Sequence, residues 1–292
     1  MIKKSSQLNI LPNRLCGFLP YLLLSLSLSL LGQSPSSLAQ EQEEETQADA
    51  APISSSTATG EEGLLDKQVP DREKVWLNTA SSQSLGFYLH ETSGKAYGGV
   101  LLIPEINRHP AANGMLNSLR HILSKNHWHT LALKVDDSNT EETQQLIAAG
   151  INYLNQQGVF NLAILGEGAG AAQALNYVAS IPAEQLNQNK SNQLRAILLI
   201  NGNNRMPNSD IKILDQLSEI KIPILDAYIS NSYKEQQQAQ QRQKAARRQM
   251  NKKYQQIRLP QVNNFSPEKD NRITKRIRGW LDNNVAGFMV DR

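Results

Sequence analysis

The sequence predicts an α/β domain in which a mostly parallel sheet of about eight strands is covered by helices on both faces. Strand-like and helix-like segments alternate along most of the chain after residue 74. Most strand-like segments are apolar throughout, which is typical of strands buried on both faces of a parallel sheet. Two earlier segments, Val75–Asn78 and Ser84–Thr92, indicate antiparallel strands at the start of the sheet.

Six further strands are predicted at mostly apolar runs. These are Gly99–Pro104, His127–Val135, Leu162–Leu165, Leu194–Ile200, Ile222–Ile229 and Tyr254–Leu259. Helices are predicted between them, because apolar residues recur there at helical spacing. Asn139 with Glu142 resembles a capping box, and Gly158 lies where a C-cap glycine would end that helix. Ser266 and Pro267 are expected to open the final helix.

The composition excludes several classes of protein. The chain has 292 residues, 30 lysines and arginines, 27 aspartates and glutamates, and a formal net charge of +3. Its single cysteine, Cys16, excludes a disulfide framework within the chain and a cysteine-rich zinc site. Aromatic residues make up only 5% of the sequence, which argues against an RNA-binding sheet of stacked rings. Nucleic acid is therefore not an expected partner.

Residues 1–39 have the organisation of a secretory signal peptide. Basic residues precede an uncharged leucine-rich stretch, and Ser37-Leu38-Ala39 places small residues at a cleavage site. We therefore expect an exported, periplasmic protein cleaved near Ala39. An uncleaved membrane anchor is the alternative, although Pro20 interrupts a stretch that is short for spanning ~30 Å of hydrocarbon.

Residues 40–73 are expected to form a disordered acidic leader. They contain ten acidic and two basic residues and almost no large apolar side chains. Such a segment cannot bury enough surface to offset its ordering entropy. Residues 74–292 are predicted to form the folded domain and contain 25 basic and 17 acidic residues. The leader is expected to be a solvated spacer or, alternatively, to fold back electrostatically on the basic domain.

The segment Gly166-Glu167-Gly168-Ala169-Gly170 is the clearest functional signal. It lies between a predicted strand and a predicted helix. This is the setting of the nucleophile elbow Gly-x-Ser-x-Gly, in which a sharp turn between small residues exposes a serine. At this point the chain resembles the α/β-hydrolase fold.

Further segments carry a narrower resemblance. They are Gly99–Glu105, His109-Pro110, Leu119-Arg120, Trp128–Leu131, Pro223–Asp226 and Lys275–Leu281. Through their order and spacing, residues 70–284 resemble an uncharacterised family of exported bacterial α/β-hydrolase-like proteins, a domain of unknown function. The resemblance implies the fold and leaves the activity open.

The catalytic triad of that fold does not carry over. Gly168 occupies the serine position, and glycine has no nucleophile for an acyl-enzyme. The loop expected to supply the acid reads Ser230-Asn231-Ser232, and the stretch expected to supply the histidine, Leu259–Phe265, contains none. The sequence therefore predicts a non-catalytic hydrolase scaffold that binds a ligand or partner in the cell envelope.

An esterase-like hydrolase with relocated catalytic groups is the alternative. Glu105 ends the first parallel strand, Arg108 and His109 follow in the next loop, and Glu167 adjoins Gly168. Because ligands bind at the carboxyl ends of parallel strands, these five residues are candidates for one pocket. Glu105, His109 and Glu167 are the candidate catalytic groups, since a Glu–His pair can transfer protons. A purely structural role in the loop is the simpler interpretation.

Metal and dinucleotide binding have weaker support. His127 and His129 lie two apart on a predicted strand and so share a face, but no third ligand is evident. Gly166 to Ala171 reads Gly-x-Gly-x-x-Ala, yet it falls in the third strand–helix unit rather than the first. We therefore expect neither a metal nor a cofactor.

A long polar helix is predicted at about Tyr233–Asn251, and its end is strongly basic. Six cations with no acid between them are Arg242, Lys244, Arg247, Arg248, Lys252 and Lys253. Such a surface favours anionic lipid headgroups or an acidic protein partner. A solvated outer helix is the simpler interpretation.

Overall fold

Eight β-strands lie within the residues that the computed structural model describes, which are 61–135, 139–182, 194–229, 232–248 and 251–287. They are β1 (Lys74–Asn78), β2 (Gln83–Leu89), β3 (Gly98–Ile103), β4 (Trp128–Leu133), β5 (Leu162–Glu167), β6 (Leu194–Ile200), β7 (Ile224–Ile229) and β8 (Tyr254–Leu259). The predicted signal peptide and residues 40–60 of the predicted leader lie outside the described residues.

Seven α-helices are present in the same parts of the chain. They are α1 (Glu61–Gln68), α2 (Met115–Ser124), α3 (Thr140–Gln156), α4 (Ala169–Ser180), α5 (Ile213–Gln216), α6 (Tyr233–Arg248) and α7 (Arg272–Asn284). A short 3₁₀ helix covers Asp71–Glu73. Among these described helices, none has the length and apolar character needed to cross a bilayer.

The strands form one sheet in the order β1-β2-β4-β3-β5-β6-β7-β8. β2 pairs antiparallel with β1 and β4, and the remaining neighbours pair in parallel. All six residues of β3 are buried, as expected for a strand covered on both faces. The predicted fold class, a mostly parallel sheet of about eight strands with helices on both faces, is confirmed.

The core has two apolar layers, one on each face of the sheet. Successive side chains of a strand point to opposite faces, so Leu101 and Ile103 enter one layer while Val100 and Leu102 enter the other. The first layer includes buried residues of α3, α4 and α5, and the second those of α2 and α7. The sheet thus lies between helices on its two faces, and a site can form at the ends of its strands.

The prediction of a disordered leader is wrong for residues 61–73. This part forms α1 and the 3₁₀ helix, so the folded domain begins before residue 74. Asp66 of α1 accepts a hydrogen bond from His109 at 2.8 Å, and buried Glu73 pairs with Arg120 at 2.8 Å. Composition could not indicate that residues 61–73 are folded, because the partners that neutralise these acids lie far along the chain.

The capping predictions had mixed outcomes. The Asn139 side chain accepts hydrogen bonds from two backbone amides at the start of α3, but Glu142 accepts from Ser82 instead of completing a box. The prediction that Ser266 opens the last helix is wrong. Asn271 caps α7 in a reciprocal box with Thr274, because the Ser266 hydroxyl instead holds a local turn with the Glu268 amide.

Replacing Asp66 with alanine is expected to loosen α1. Asp66 also accepts from Lys134 at 3.1 Å, and the substitution would leave the buried His109 Nε2–H without a partner, at a cost of about 1–3 kcal/mol. Tryptic cleavage at Lys67 and the midpoint of urea unfolding measure the change. The matched control is Asp71→Ala, which removes an exposed surface pair with Lys74 and should have little effect.

This contribution is expected to depend on pH. Burial acts to raise the pKa of Asp66, but hydrogen bonds from His109 and Lys134 outweigh it and hold the pKa below its ordinary value of 3.8. A carboxylate with a lowered folded-state pKa stabilises the fold fully above its unfolded pKa and loses that contribution as the pH falls through the folded value. The difference between wild type and Asp66→Ala should therefore shrink in acid; a constant difference would contradict this role.

Candidate functional site

The carboxyl ends of β3 and β5 lie side by side. The two strands pair in parallel, with Ile103 opposite Gly166, so the loop after β3 faces the turn after β5. In open parallel sheets, ligands bind in the crevice outside these strand ends. Glu105, Arg108 and the elbow residues all fall at this edge.

The turn from β5 into α4 keeps the backbone of a nucleophile elbow. Gly168 has φ +56°, in the left-handed region, and is followed directly by α4. A Cβ on Gly166 would lie 2.5 Å from the Ala171 amide nitrogen, and one on Gly170 would overlap the carbonyl oxygen of Pro104. Small residues are therefore required on both sides of position 168, as in Gly-x-Ser-x-Gly.

The Glu105 carboxylate fills the space above Gly168. A Cβ built on Gly168 would overlap Glu105 Oε2. The Ala169 amide donates to both carboxylate oxygens, at 3.0 and 3.1 Å, and the Ile106 amide donates to Oε1 at 3.2 Å. The space that a serine side chain at position 168 would need is thus occupied by a carboxylate from the loop after β3.

These two amides lie at the positions where α/β-hydrolases have their oxyanion hole. That hole is made by the N–H of the residue after the nucleophile and by an N–H of the loop after β3. Ala169 follows the elbow position and Ile106 lies in the loop after β3. The two donors at these positions are therefore already bound to a carboxylate of the protein itself.

Glu167 and Arg108 border the same space. Arg108 Nη1 donates to Glu167 Oε1 at 3.4 Å, and its Nη2 donates to the Asn113 carbonyl at 3.1 Å. Glu167 Oε2 is buried and has no hydrogen-bond partner in the described part of the chain. Burial raises the pKa of Glu167, while nearby Arg108 lowers it and Glu105 adds to the increase.

His109 does not belong to this pocket, so its predicted place there is wrong. The Ala111 amide donates to its Nδ1 at 3.0 Å, which leaves the proton on Nε2. That nitrogen donates to Asp66, and the ring packs against Phe87 with centroids 5.1 Å apart. The side chain is 1% exposed. Of the predicted pocket residues, the structure therefore brings together Glu105, Arg108, Glu167 and Gly168.

A buried charge network that the sequence analysis missed lies beneath α6. Asp226 of β7 binds Arg242 through two hydrogen bonds of 2.9 Å and also accepts from Gln256 at 2.7 Å and from the Tyr254 hydroxyl. Burial raises the pKa of Tyr254, and the charge of Asp226 raises it further. Two features of the sequence could have indicated this network. Asp226 is an acid inside an otherwise apolar strand, and Arg242 falls at helical spacing from Ala239 and Ala246.

Arg242 is therefore not one of the cations exposed on the α6 surface, and the prediction that it contributes to a binding surface is wrong. Its side chain is 1% exposed and is neutralised by Asp226. The other five predicted cations are exposed: Lys244, Arg247, Arg248, Lys252 and Lys253. Arg247 and Lys252 border an open hollow of about 380 Å³ beside β8.

The histidines considered for a metal each have another partner. His129 Nδ1 lies 2.8 Å from the Tyr88 hydroxyl, and His127 Nδ1 lies 2.7 Å from the Ser93 hydroxyl. His127 precedes β4 and has φ +74°, so the two rings do not share a regular strand face. Within the described ranges, no cluster of three histidine, cysteine, aspartate or glutamate side chains is placed to hold a metal.

Solved structures share this fold. Dienelactone hydrolase from Anabaena variabilis aligns with a TM-score of 0.56 and 12% identity over 73% of this chain and 97% of its own. The esterase domain of a Rhodothermus marinus protein gives 0.54 and 12% over 73% and 98%, and Est1E from Butyrivibrio proteoclasticus gives 0.53 and 10% over 72% and 97%. At such identities the similarity concerns the fold alone.

Sequence comparison identifies the family. No curated protein matches this chain. A family model described as a protein of unknown function (DUF3530) matches residues 19–144 and 134–283, which together span most of the chain. The chain therefore belongs to the DUF3530 family, and its domain has the α/β-hydrolase fold.

Proposed function

We propose that this protein is an exported α/β-hydrolase-like protein that binds a ligand or partner in the cell envelope and does not hydrolyse it. One observation carries the proposal, namely that the Glu105 carboxylate occupies the elbow above Gly168. The signal-peptide pattern of residues 1–39 supports export.

Acyl transfer at this site would meet three obstacles. The reaction needs a nucleophile activated by a base, and position 168 has no side chain. It also needs donors directed at the developing oxyanion, but the Ala169 and Ile106 amides are bound to Glu105. Finally, a carboxylate in that position repels the negative charge that forms in the transition state.

A binding function is compatible with the features that the fold supplies. At the strand ends, Arg108 has a side chain that is 42% exposed. The five exposed cations at the end of α6 and just after it supply a second surface, suited to anionic lipid headgroups or an acidic protein. Neither surface requires a catalytic triad.

The purified chain from Gln40 onward is expected to leave p-nitrophenyl acetate and butyrate unchanged. Initial rates should equal those of heat-denatured protein, because no nucleophile lies at the elbow. Glu105→Ala, Glu167→Gln and His109→Ala should not alter this result. Ester turnover by the wild type that disappears in Glu167→Gln would overturn the proposal.

The binding arm of the same experiment uses vesicles. The protein should sediment with vesicles containing phosphatidylglycerol and remain in solution with phosphatidylcholine alone. The double variant Arg247→Glu, Arg248→Glu should lose this sedimentation, whereas Arg205→Glu, a substitution of an exposed arginine outside the α6 cluster, should retain it. Unchanged sedimentation of the double variant would remove the α6 surface from the proposal.

A hydrolase with relocated groups is the second candidate. Glu167 favours it, because burial raises the pKa of its carboxyl and a carboxyl with a raised pKa is suited to act as a general acid. His109 disfavours it, since both ring nitrogens are already hydrogen-bonded away from Glu105 and Glu167. Turnover that requires Glu167 but not His109 would support this candidate.

A further inference from the structure

We propose that the Ala169 and Ile106 amides form a carboxylate-binding site that Glu105 fills as an internal ligand, so that an external carboxylate binds there when Glu105 leaves. This inference rests on the proposed binding function and names the chemical class of its ligand. We call the two amides, with Gly168 beneath them, the elbow cradle.

The elbow cradle has the donors that an anion requires. The Ala169 amide is the first of the 12-residue helix α4, and the first amides of a helix have no partner within the helix. The aligned peptide dipoles add a partial positive charge at this end. The Ile106 amide, which follows Glu105 directly in the loop after β3, donates to the same carboxylate.

Occupancy by Glu105 shows which chemical group the elbow cradle accepts. Both oxygens of the carboxylate lie within 3.1 Å of the Ala169 nitrogen, and Oε1 also accepts from Ile106 at 3.2 Å. This is the pattern of a bound carboxylate, with the difference that the ligand is covalently part of the chain. An external acid of the same geometry can make the same contacts.

Glu167 supplies an independent indication of a ligand. Its side chain is only 14% exposed, and its buried Oε2 has no hydrogen-bond partner among the described residues. Such an orphaned polar atom is uncommon in a folded protein. Burial raises the pKa of Glu167, so its carboxyl is protonated more readily than an exposed one, and the protonated form can donate a hydrogen bond.

Gly168 makes the internal ligand possible. Any Cβ at this position would overlap Glu105 Oε2, so the glycine and the glutamate fit together as a pair. Gly168→Ala should therefore expel the Glu105 carboxylate from the elbow cradle without removing it from the protein. Glu105→Ala removes the same carboxylate and leaves the space above Gly168 open, whereas the Cβ of Gly168→Ala would also exclude an external carboxylate from that position.

The test is a titration with sodium acetate, followed through the amide ¹H–¹⁵N signals of Ala169 and Ile106. Glu105→Ala should bind acetate at least about tenfold more tightly than the wild type, because charge-assisted hydrogen bonds are regained. Acetamide, a neutral molecule of the same shape, should not bind. Glu268→Ala, which removes an exposed carboxylate elsewhere, should behave as the wild type.

Glu105→Ser, which also removes the carboxylate and leaves Gly168 unchanged, keeps the test decisive if Glu105→Ala does not fold. It should also bind acetate more tightly than the wild type, and both amide signals should shift. Equal acetate affinity in the folded variants and the wild type, or shifts that leave Ala169 and Ile106 unaffected, would overturn the inference. Such a failure would leave the absence of ester hydrolysis untouched, so the two proposals fail on separate measurements.

Discussion

Replacing Arg242 with alanine is expected to lower the free energy of unfolding by about 3–5 kcal/mol. The side chains of Asp226 and Arg242 are 0% and 1% exposed, so the substitution would leave a carboxylate buried without its counter-charge. Arg242 also donates to Asn204 Oδ1 at 2.9 Å and to the Gly202 carbonyl, so the loop after β6 should loosen as well. Urea unfolding followed by circular dichroism measures the loss.

Arg247→Ala is the matched control for this prediction. Arg247 lies on the same helix but is exposed, and a surface substitution of this kind should change stability by no more than about 0.5 kcal/mol. A double variant in which Asp226 and Arg242 both become apolar should recover much of the loss, since an ion pair buried this deeply is often replaceable. Equal effects of Arg242→Ala and Arg247→Ala would contradict a role for the buried pair.

Replacing Gly170 with alanine is expected to cost about 1–3 kcal/mol or more. The new Cβ would overlap the Pro104 carbonyl oxygen and lie 2.6 Å from that of Ile103. Both obstacles are backbone atoms at the end of β3, so α4 and the loop carrying Glu105 must move apart. Thermal unfolding reports the loss of stability, and the Ala169 amide signal reports the displacement of Glu105.

Gly279→Ala is the matched control, because it makes the same glycine-to-alanine change but is expected to raise stability. Gly279 lies inside α7, and a Cβ there meets no atom within 4 Å. Alanine at a helical position with free space should stabilise the protein by about 0.5–1 kcal/mol, because it restricts the unfolded chain. If both substitutions destabilised equally, close packing at the elbow would not be the cause.

The fold could be predicted because its signals are local. β3 reads Gly-Gly-Val-Leu-Leu-Ile and is buried at all six positions, and the glycine spacing around Gly168 indicates a tight turn into a helix. The start of the final helix was predicted wrongly because two local capping signals compete there. Ser266 with Pro267 is a sound helix start in isolation, yet Asn271 makes the actual cap.

The candidate site could be predicted only in part. Position 168 lacks a nucleophile whatever its surroundings, so the vacant elbow followed from the sequence. The location of Glu105 above Gly168 did not, because it depends on how the loop after β3 folds across α4. The same holds for His109, whose partner Asp66 lies in a segment that composition assigned to disorder.

The sequence by itself determined the fold class and the absence of a serine at the elbow, because apolar periodicity and glycine spacing act over a few neighbouring residues. Tertiary structure decided which charged and polar groups meet. Glu105 and Ala169 are 64 residues apart, Asp66 and His109 are 43 apart, and Asp226 and Arg242 are 16 apart. Such pairs depend on the packing that brings the segments together, since no local preference selects one distant partner over another.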